Sequence, residues 1–166
     1  MAGAALVKIL ILGHGEHGKD TAADMITDYT GLRFESSSLA AAEIAVWPHM
    51  PEYATAKDCF DDRRNHRGRW KQLITDYNTP DKARLCREII SRCDGYVGMR
   101  CPEEYAASRA MFDHILWIDG SDRKPADPTM GIIYSEEMVL IDNNWCEGNL
   151  GIKLYDWCVS NRLCLQ

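Results

Sequence analysis

The apolar run Leu6-Val7-Lys8-Ile9-Leu10-Ile11-Leu12 leads directly into Gly13-His14-Gly15-Glu16-His17-Gly18-Lys19-Asp20-Thr21. A buried strand, a glycine-rich turn and a helix start form the setting in which a backbone wraps phosphate. Gly13, Gly15 and Gly18 let the chain curl so that successive N–H groups converge on anionic oxygens. Lys19 reaches the outer phosphates, and the helix N-terminus adds partial positive charge. His14 and His17 flank the glycines and either add donors to phosphate or face solvent. With Glu16 and Thr21 they complete the span assigned to the nucleotide. The usual pattern has Ser or Thr directly after the lysine, where the hydroxyl contacts magnesium. Here Asp20 stands in that place and Thr21 follows. Asp20 is therefore a candidate to hold Mg2+, directly or through water, or to orient an acceptor hydroxyl; a helix-capping aspartate is the plainer alternative.

Strand and helix signals alternate along the rest of the chain. Strands are expected at 6–12, 32–35, 94–100, 114–119 and 138–142. Helices are expected from Gly18 to Tyr29 (ended by Gly31), through Leu39–Val46 (capped by Ser36-Ser37-Ser38 and stopped by Pro48 and Pro51), over 55–78, after Thr79-Pro80-Asp81, from Pro102 to Met111, and over 147–159. This alternation implies an α/β fold with a five-stranded parallel sheet and helices on both faces. At 166 residues the chain suits one domain, 1–166, with a substrate-binding helical segment about 39–92 and a charged lid about 120–135. No apolar run of about 18 residues exists, so no membrane span is expected, and the N-terminus lacks a signal-peptide layout. Seven cysteines without a Cys-x-x-Cys pair read as reduced thiols. A net charge of −6 argues against broad nonspecific nucleic-acid binding but leaves room for one local basic surface.

In such sheets ligands bind at the carboxyl ends of the strands. That edge should gather 13–21, Glu35 to Ser38, Arg100, Asp119 to Arg123, and Asp142 to Asn144. Asp119 is a candidate second Mg2+ or water-holding carboxylate, or a plain turn aspartate. Arg100 grips an acceptor phosphate or a base, or else pairs with Glu103 or Glu104. Arg123, with Lys124, lies on a loop able to close over a triphosphate. Asn143-Asn144 lies within reach of an adenine. The densest constellation is Arg63, Arg64, Arg67, Arg69 and Lys71, five cations within nine residues of an acidic chain. At helical spacing Arg63, His66, Arg67 and Trp70 share a face suited to backbone phosphates and a stacked base. The bland alternative is a solvated face with Trp70 in the core. Asp62 is the candidate base for a hydroxyl acceptor, with Glu35 and Asp20 as rivals.

Gly18-Lys19-Asp20-Thr21 followed by Ala23-Asp24 resembles the phosphate loop of bacteriophage deoxynucleoside monophosphate kinases, within the P-loop kinase superfamily. A closer resemblance is to phage 5-hydroxymethyluracil DNA kinases. It is carried by Ser36-Ser37-Ser38, Cys59-Phe60-x-Asp62-Arg63-x-Asn65-His66-Arg67-x-x-Trp70, Tyr77-Asn78, Tyr96-Val97-Gly98-Met99-Arg100, Trp117-Ile118-Asp119-x-Ser121-Asp122-Arg123 and Ile141-Asp142-Asn143. It covers about residues 6–158. In the monophosphate kinases strand three commonly ends in Asp-x-Arg. Gly98 stands in place of that aspartate, which fits the DNA-kinase branch. The resemblance implies ATP-dependent phosphorylation of 5-hydroxymethyl-2'-deoxyuridine within DNA, giving 5-phosphomethyl-2'-deoxyuridine during thymine hypermodification. The setting it implies is the cytoplasm of an infected bacterium, where the modified genome evades host nucleases. Lys19, Asp20, Asp62, Arg63, Arg100 and Arg123 would be catalytic. Ser36, Arg63, His66, Arg67, Trp70 and Arg100 would bind the acceptor, and Gly13 to Thr21 with Arg123 would bind ATP. A kinase acting on free deoxynucleoside monophosphates is the alternative.

Overall fold

The computed structural model describes residues 7–165. Five parallel strands, β1 (Ile9–Leu12), β2 (Phe34–Ser36), β3 (Gly95–Val97), β4 (His114–Asp119) and β5 (Val139–Asp142), form one sheet in the order β2-β3-β1-β4-β5. Central β1 is buried along its whole length, as a parallel strand covered on both faces must be. Leu10, Leu12, Tyr96 and Trp117 point to one face. There they meet Leu85 and Ile89 of a helix over Arg84–Arg92. Ile9, Ile11, Val97, Leu116, Ile118 and Ile141 point to the other face. It is covered by α1 (Lys19–Thr30) and the last helix, Glu147–Ser160. The strands are shorter than the apolar runs suggest. Val7 and Lys8 precede β1, although the Lys8 carbonyl still accepts from Asp113 and His114 amides, and Leu6 lies outside the described residues.

α1 ends where expected. Gly31 adopts φ 73° and donates its N–H to Thr27 O at 2.8 Å. The next helix differs in detail. α2 (Ser37–Ala41) passes into a π turn over 42–46 and a 3-10 turn over 47–49, so Pro48 sits within the last turn and does not halt the chain ahead of it. Ser36 is at the N-cap position but makes no capping bond. The neighbouring Ser37 hydroxyl donates instead to Gly98 O across the sheet end, at 3.0 Å.

The expected single helix over 55–78 is broken. α3 (Ala56–Asp61) opens on a Thr55–Asp58 capping box, a 3-10 turn covers Arg63–His66, and α4 spans Arg67–Tyr77. The break is at Asp62, whose carboxylate accepts from the side chains of Asn65 (2.5 Å) and His66 (3.1 Å). Such local bonds compete with helix continuation. This segment has a small core of its own, made of Ala42, Ala45, Val46, Met50, Cys59 and Trp70. Asn78 is buried and its side-chain oxygen accepts from the Leu85 amide at 3.0 Å, which sets the start of α5 (Arg84–Arg92). After β3 comes α6 (Pro102–Ser108), and α7 (Glu147–Ser160) closes the chain. Among the described residues no helix is long and apolar enough to cross a membrane. All seven cysteines are free thiols, four of them buried.

Candidate active site

The glycine loop sits at the carboxyl end of β1, at the centre of the sheet. Gly13 has φ 139°, and a Cβ there would collide with the Ile118 carbonyl of β4. The residue must be glycine for the loop to pass the neighbouring strand. Lys19 folds back and donates to His14 O at 2.6 Å. Burial first, and then the nearby Arg100 charge, lower the Lys19 ammonium to about 8, while Asp20 and Asp127 pull it upward. Lys19, Arg100, Asp20 and Asp127 therefore belong to one electrostatic neighbourhood. Lysines held this way gain most from an incoming polyanion, which restores the charge that burial penalises.

The rings of His14 and His17 are turned towards the 120–135 segment. His17 is fully buried; its Nδ1 accepts from the Gly120 amide at 3.0 Å, so its Nε2 carries the proton and donates to Lys124 O at 3.1 Å. His14 Nδ1 accepts from the Asp127 amide at 3.1 Å. For His17 the expectation that the ring donates to phosphate or faces solvent is corrected; His14 is half-buried and gives only its Nδ1 to the 120–135 segment. Both rings bond to residues of the 120–135 segment. Lys124 adds an ion pair to Glu16 at 3.0 Å. Arg123 Nε donates to Asn143 O at 2.6 Å. Asn143 is itself buried and donates to His17 O at 2.8 Å, so it braces the loop where contact with an adenine was expected.

Asp127 was missed in the sequence, being one of several charges in a loop without periodicity. Its carboxylate pairs with Arg100 and accepts from the Thr129 amide (2.9 Å) and hydroxyl. A Cβ on Gly15 would lie 2.8 Å from Asp127 Oδ2, so the absent side chain at 15 makes room for this carboxylate. Burial pushes the Asp127 carboxyl up, but the Thr129 bonds and Arg100 outweigh it and hold it well below the usual range. Arg100 thus pairs with a carboxylate of the 120–135 segment, and not with Glu103 or Glu104, the ion pairs weighed in the sequence as the alternative to an acceptor contact.

On the far side of Lys19, Gly98 ends β3 with φ 89°. A Cβ there would stand 3.3 Å from Ser37 Oγ and 3.8 Å from Lys19 Cε. The missing side chain lets Ser37 and Lys19 pack closely at this point, between the ends of β2 and β3. Half-buried Ser36 lies at the same edge, in register with Val97. Glu35, a rival base in the sequence, is instead ion-paired with Arg92.

The basic block faces the loop, but not as one helix face. Burial and the Arg64 charge push the Arg63 guanidinium below its usual range, while Asp61 and then Asp20 of the loop oppose them. Glu16 is lowered by its Lys124 hydrogen bond and charge, and in smaller part by Arg64. Arg63 stacks over Phe60 at 3.9 Å and donates to Phe60 O at 2.9 Å. Arg69 is taken up by Glu52 (2.7 Å) and His49 O. Among the described residues Arg64, Arg67 and Lys71 make no ion pair, and all three are exposed. Trp70 is only 6% exposed, packed against Val46, Met50 and Cys59, so it cannot stack on a base; the break at Asp62 and the apolar residues of 42–50 draw it inward. Asp62 receives Tyr53 OH (2.5 Å) as well as Asn65 and His66. Those bonds hold its carboxyl low, Tyr53 and Asn65 foremost. A carboxylate so fully engaged is a poor proton acceptor.

Asp20, in the first turn of α1, is exposed and makes no hydrogen bond among the described residues. It suits Mg2+, which takes one or two carboxylates beside waters and phosphates. Asp119 accepts from the Ser121 amide (3.1 Å) and hydroxyl (3.2 Å) and from Asn144 (3.3 Å), the pattern of a turn-holding aspartate. No group of three or more metal-ligating side chains exists among the described residues. Thr21 is half-buried in the same helix turn as Asp20. Beside the loop a cavity of about 400 Å³ is walled by His14, Trp117, Tyr134, Ile132 and Leu140.

No protein-family model and no curated protein matches the chain. Among solved structures it is similar to a gluconokinase from Sinorhizobium meliloti 1021, with a TM-score of 0.54 and 13% identity over 95% of each chain. A sugar kinase from Janibacter sp. HTCC2649 aligns over 98% of this chain and 100% of that one, at 14% identity and a TM-score of 0.47. The gluconokinase likeness shows the fold: a five-stranded parallel sheet with helices on both faces.

Proposed function

We propose that the protein is an ATP-dependent phosphotransferase whose acceptor is a primary alcohol on DNA, the hydroxymethyl group of 5-hydroxymethyl-2'-deoxyuridine. The kinase-type fold and the geometry of Lys19 support phosphoryl transfer in general. The DNA acceptor rests on the sequence resemblance, and one structural observation carries it further. Unpaired, exposed Arg64 and Arg67 lie on the segment whose charges reach Glu16 and Asp20 of the phosphate loop. Cations there suit the backbone phosphates of a strand whose base has left the stack.

In this reading the amides of 13–19 and the Lys19 ammonium hold the β- and γ-phosphates of ATP, and the lid residue Arg123 covers them. Magnesium, held at Asp20, would neutralise phosphate charge. The hydroxymethyl base reaches the end of the triphosphate from the side of the 63–71 cations, and Arg100 steadies the transferred group. Because Trp70 is buried, base stacking falls to another ring, and His66 and Tyr53, edge-on at 6.1 Å, are the aromatic pair on the acceptor segment. The test offers γ-labelled ATP with DNA containing hydroxymethyluracil in one reaction and free deoxynucleoside monophosphates in another. Label in the DNA alone is expected. Label in the free monophosphates alone would overturn the reading.

A further inference from the structure

Most exposed cations of this acidic chain are spent on carboxylates, as Arg69 is on Glu52 and Arg109 on Glu137. Among the described residues the exposed ones without an ion pair are Arg64, Arg67, Lys71, Arg123 and Arg162. Three of these stand in single file. The 3-10 turn over Arg63–His66 sets Arg64 above Arg67, because side chains three apart eclipse in such a turn. Lys71 follows one turn of α4 later, about 6 Å along the axis. The inward side of α4 holds Trp70, Leu73, Ile74 and Tyr77; Ile74 and Tyr77 also join the core against the sheet. Arg67 and Lys71 flank Ile74 at helical spacing, so the file borders the cleft between this segment and the sheet. At one end is the phosphate loop, where Glu16 is held low by Lys124 first and in smaller part by Arg64. At the other is the start of α6, where Glu103 is held low by its Cys101 bond first and in smaller part by Lys82 and Lys71.

A second observation falls in the middle of this file. Gly68 is four residues from Arg64 and three from Lys71, on the same stripe of the helix. Glycine is a poor helix former and needs a reason to be there. Gly68 is not among the glycines with left-handed angles, and a Cβ on it would meet nothing within 4 Å. Neither the backbone nor a packed neighbour requires it. What it supplies is bare helix backbone between three cations, where a ligand's own backbone can approach more closely than any side chain would allow.

Resting on the DNA-acceptor reading, we propose that Arg64, Arg67, Gly68 and Lys71 form a track for a single DNA strand, which passes over Gly68 and gives successive phosphates to the three cations. The target nucleotide lies at the Arg64 end, beside the phosphate loop, and the strand leaves towards the start of α6. A single file of cations follows one strand and makes no contact with a complement, so the acceptor is an unpaired strand. Its flanking nucleotides supply affinity on one side of the target only. A free nucleotide meets Arg64 alone and gains nothing from Arg67 or Lys71.

The test measures transfer from γ-labelled ATP to a length series of single-stranded oligonucleotides with one hydroxymethyluracil at either end, and binding of the same strands by fluorescence anisotropy at several salt concentrations. For the wild type KM should fall as nucleotides are added on one side of the target and then level off. The logarithm of its affinity should fall with the logarithm of salt at a slope of about −2, roughly 0.7 for each of three neutralised phosphates, and at about −1.4 in Lys71→Ala. Gly68→Leu should melt no lower than the wild type, because the space beside it is open, yet raise KM for DNA at least about tenfold with a smaller change in kcat, as overfilling a close contact does. A folding defect would not give that split. If the wild type labels DNA but both variants match it in KM and slope, or if a duplex shows a lower KM than its unpaired strand, the track is overturned while the DNA reading stands. If the wild type labels only free monophosphates, the DNA reading itself fails and the track falls with it.

Discussion

Glu104 is the most exposed test of the energetics, because it is an acid buried without a cation. It lies in α6, 5% exposed, and its only side-chain partner among the described residues is the buried Tyr96 hydroxyl, which donates to Oε1 at 3.0 Å. Burial raises its carboxyl from 4.5 to about 7, against a smaller lowering by the Tyr96 bond. The folded protein therefore holds a proton that the unfolded chain releases between pH 4.5 and 7. In that window the native state binds more protons, so stability falls as pH rises, and above pH 7 the loss levels off. The difference of about 2.5 units, at about 1.4 kcal/mol each, amounts to roughly 3 kcal/mol. Urea unfolding of the wild type and Glu104→Gln at half-unit steps from pH 4.5 to 8 isolates this contribution, since other titrations cancel in the difference. The wild type should lose on the order of 3 kcal/mol relative to the variant across that range. A difference that stays flat, or changes in the opposite direction, would refute the burial argument.

Three further outcomes are expected. Lys19 carries its proton below about pH 8 in the ligand-free protein, so ATP affinity measured calorimetrically should be steady to pH 7.5 and fall as pH rises through 8 and beyond; an affinity unchanged to pH 9.5 would contradict the placement of its ammonium. Gly98→Ala forces a side chain into φ 89° beside Ser37 and Lys19, and should cost about 1 kcal/mol of stability in urea unfolding. Trp70→Ala should destabilise by about 3–5 kcal/mol through the cavity it leaves, whereas Trp70→Phe should leave DNA affinity within twofold of the wild type, as judged by fluorescence anisotropy with labelled DNA.

The parts of this fold that local chemistry determines are legible in the sequence. β1, the glycine loop and α1 are read from a continuous apolar run, a cluster of glycines and a helix stopped by Gly31, and each depends on residues close in the chain. β4 is matched residue for residue, because its apolar stretch is bounded by Asp113 and Gly120. What escaped depends on distant partners. Helical spacing over 63–70 gave no sign that the Asp62 side chain would bind Asn65 and His66 and break the helix, or that 42–50 would draw Trp70 inside. His14 and His17 look alike on paper, and only the path of 120–127 reveals that both rings bond to that segment. Asp127 could not be picked out from Asp122 or Asp119 by type; its distinction is the empty side-chain position at Gly15. The basic segment 63–71 is likewise half legible, since the cations are visible in the sequence but the loss of Arg69 to Glu52 is not.

The claim on which the account stands is that the glycine loop and Lys19 deliver the γ-phosphate of ATP to a hydroxymethyl group on a DNA base. Digesting DNA containing hydroxymethyluracil to nucleosides after incubation with γ-labelled ATP locates the label, with Lys19→Ala run alongside. The expected result is label on 5-phosphomethyl-2'-deoxyuridine, reduced at least about 100-fold in the variant. Label on strand ends or sugars, or undiminished transfer without the lysine, would contradict the claim.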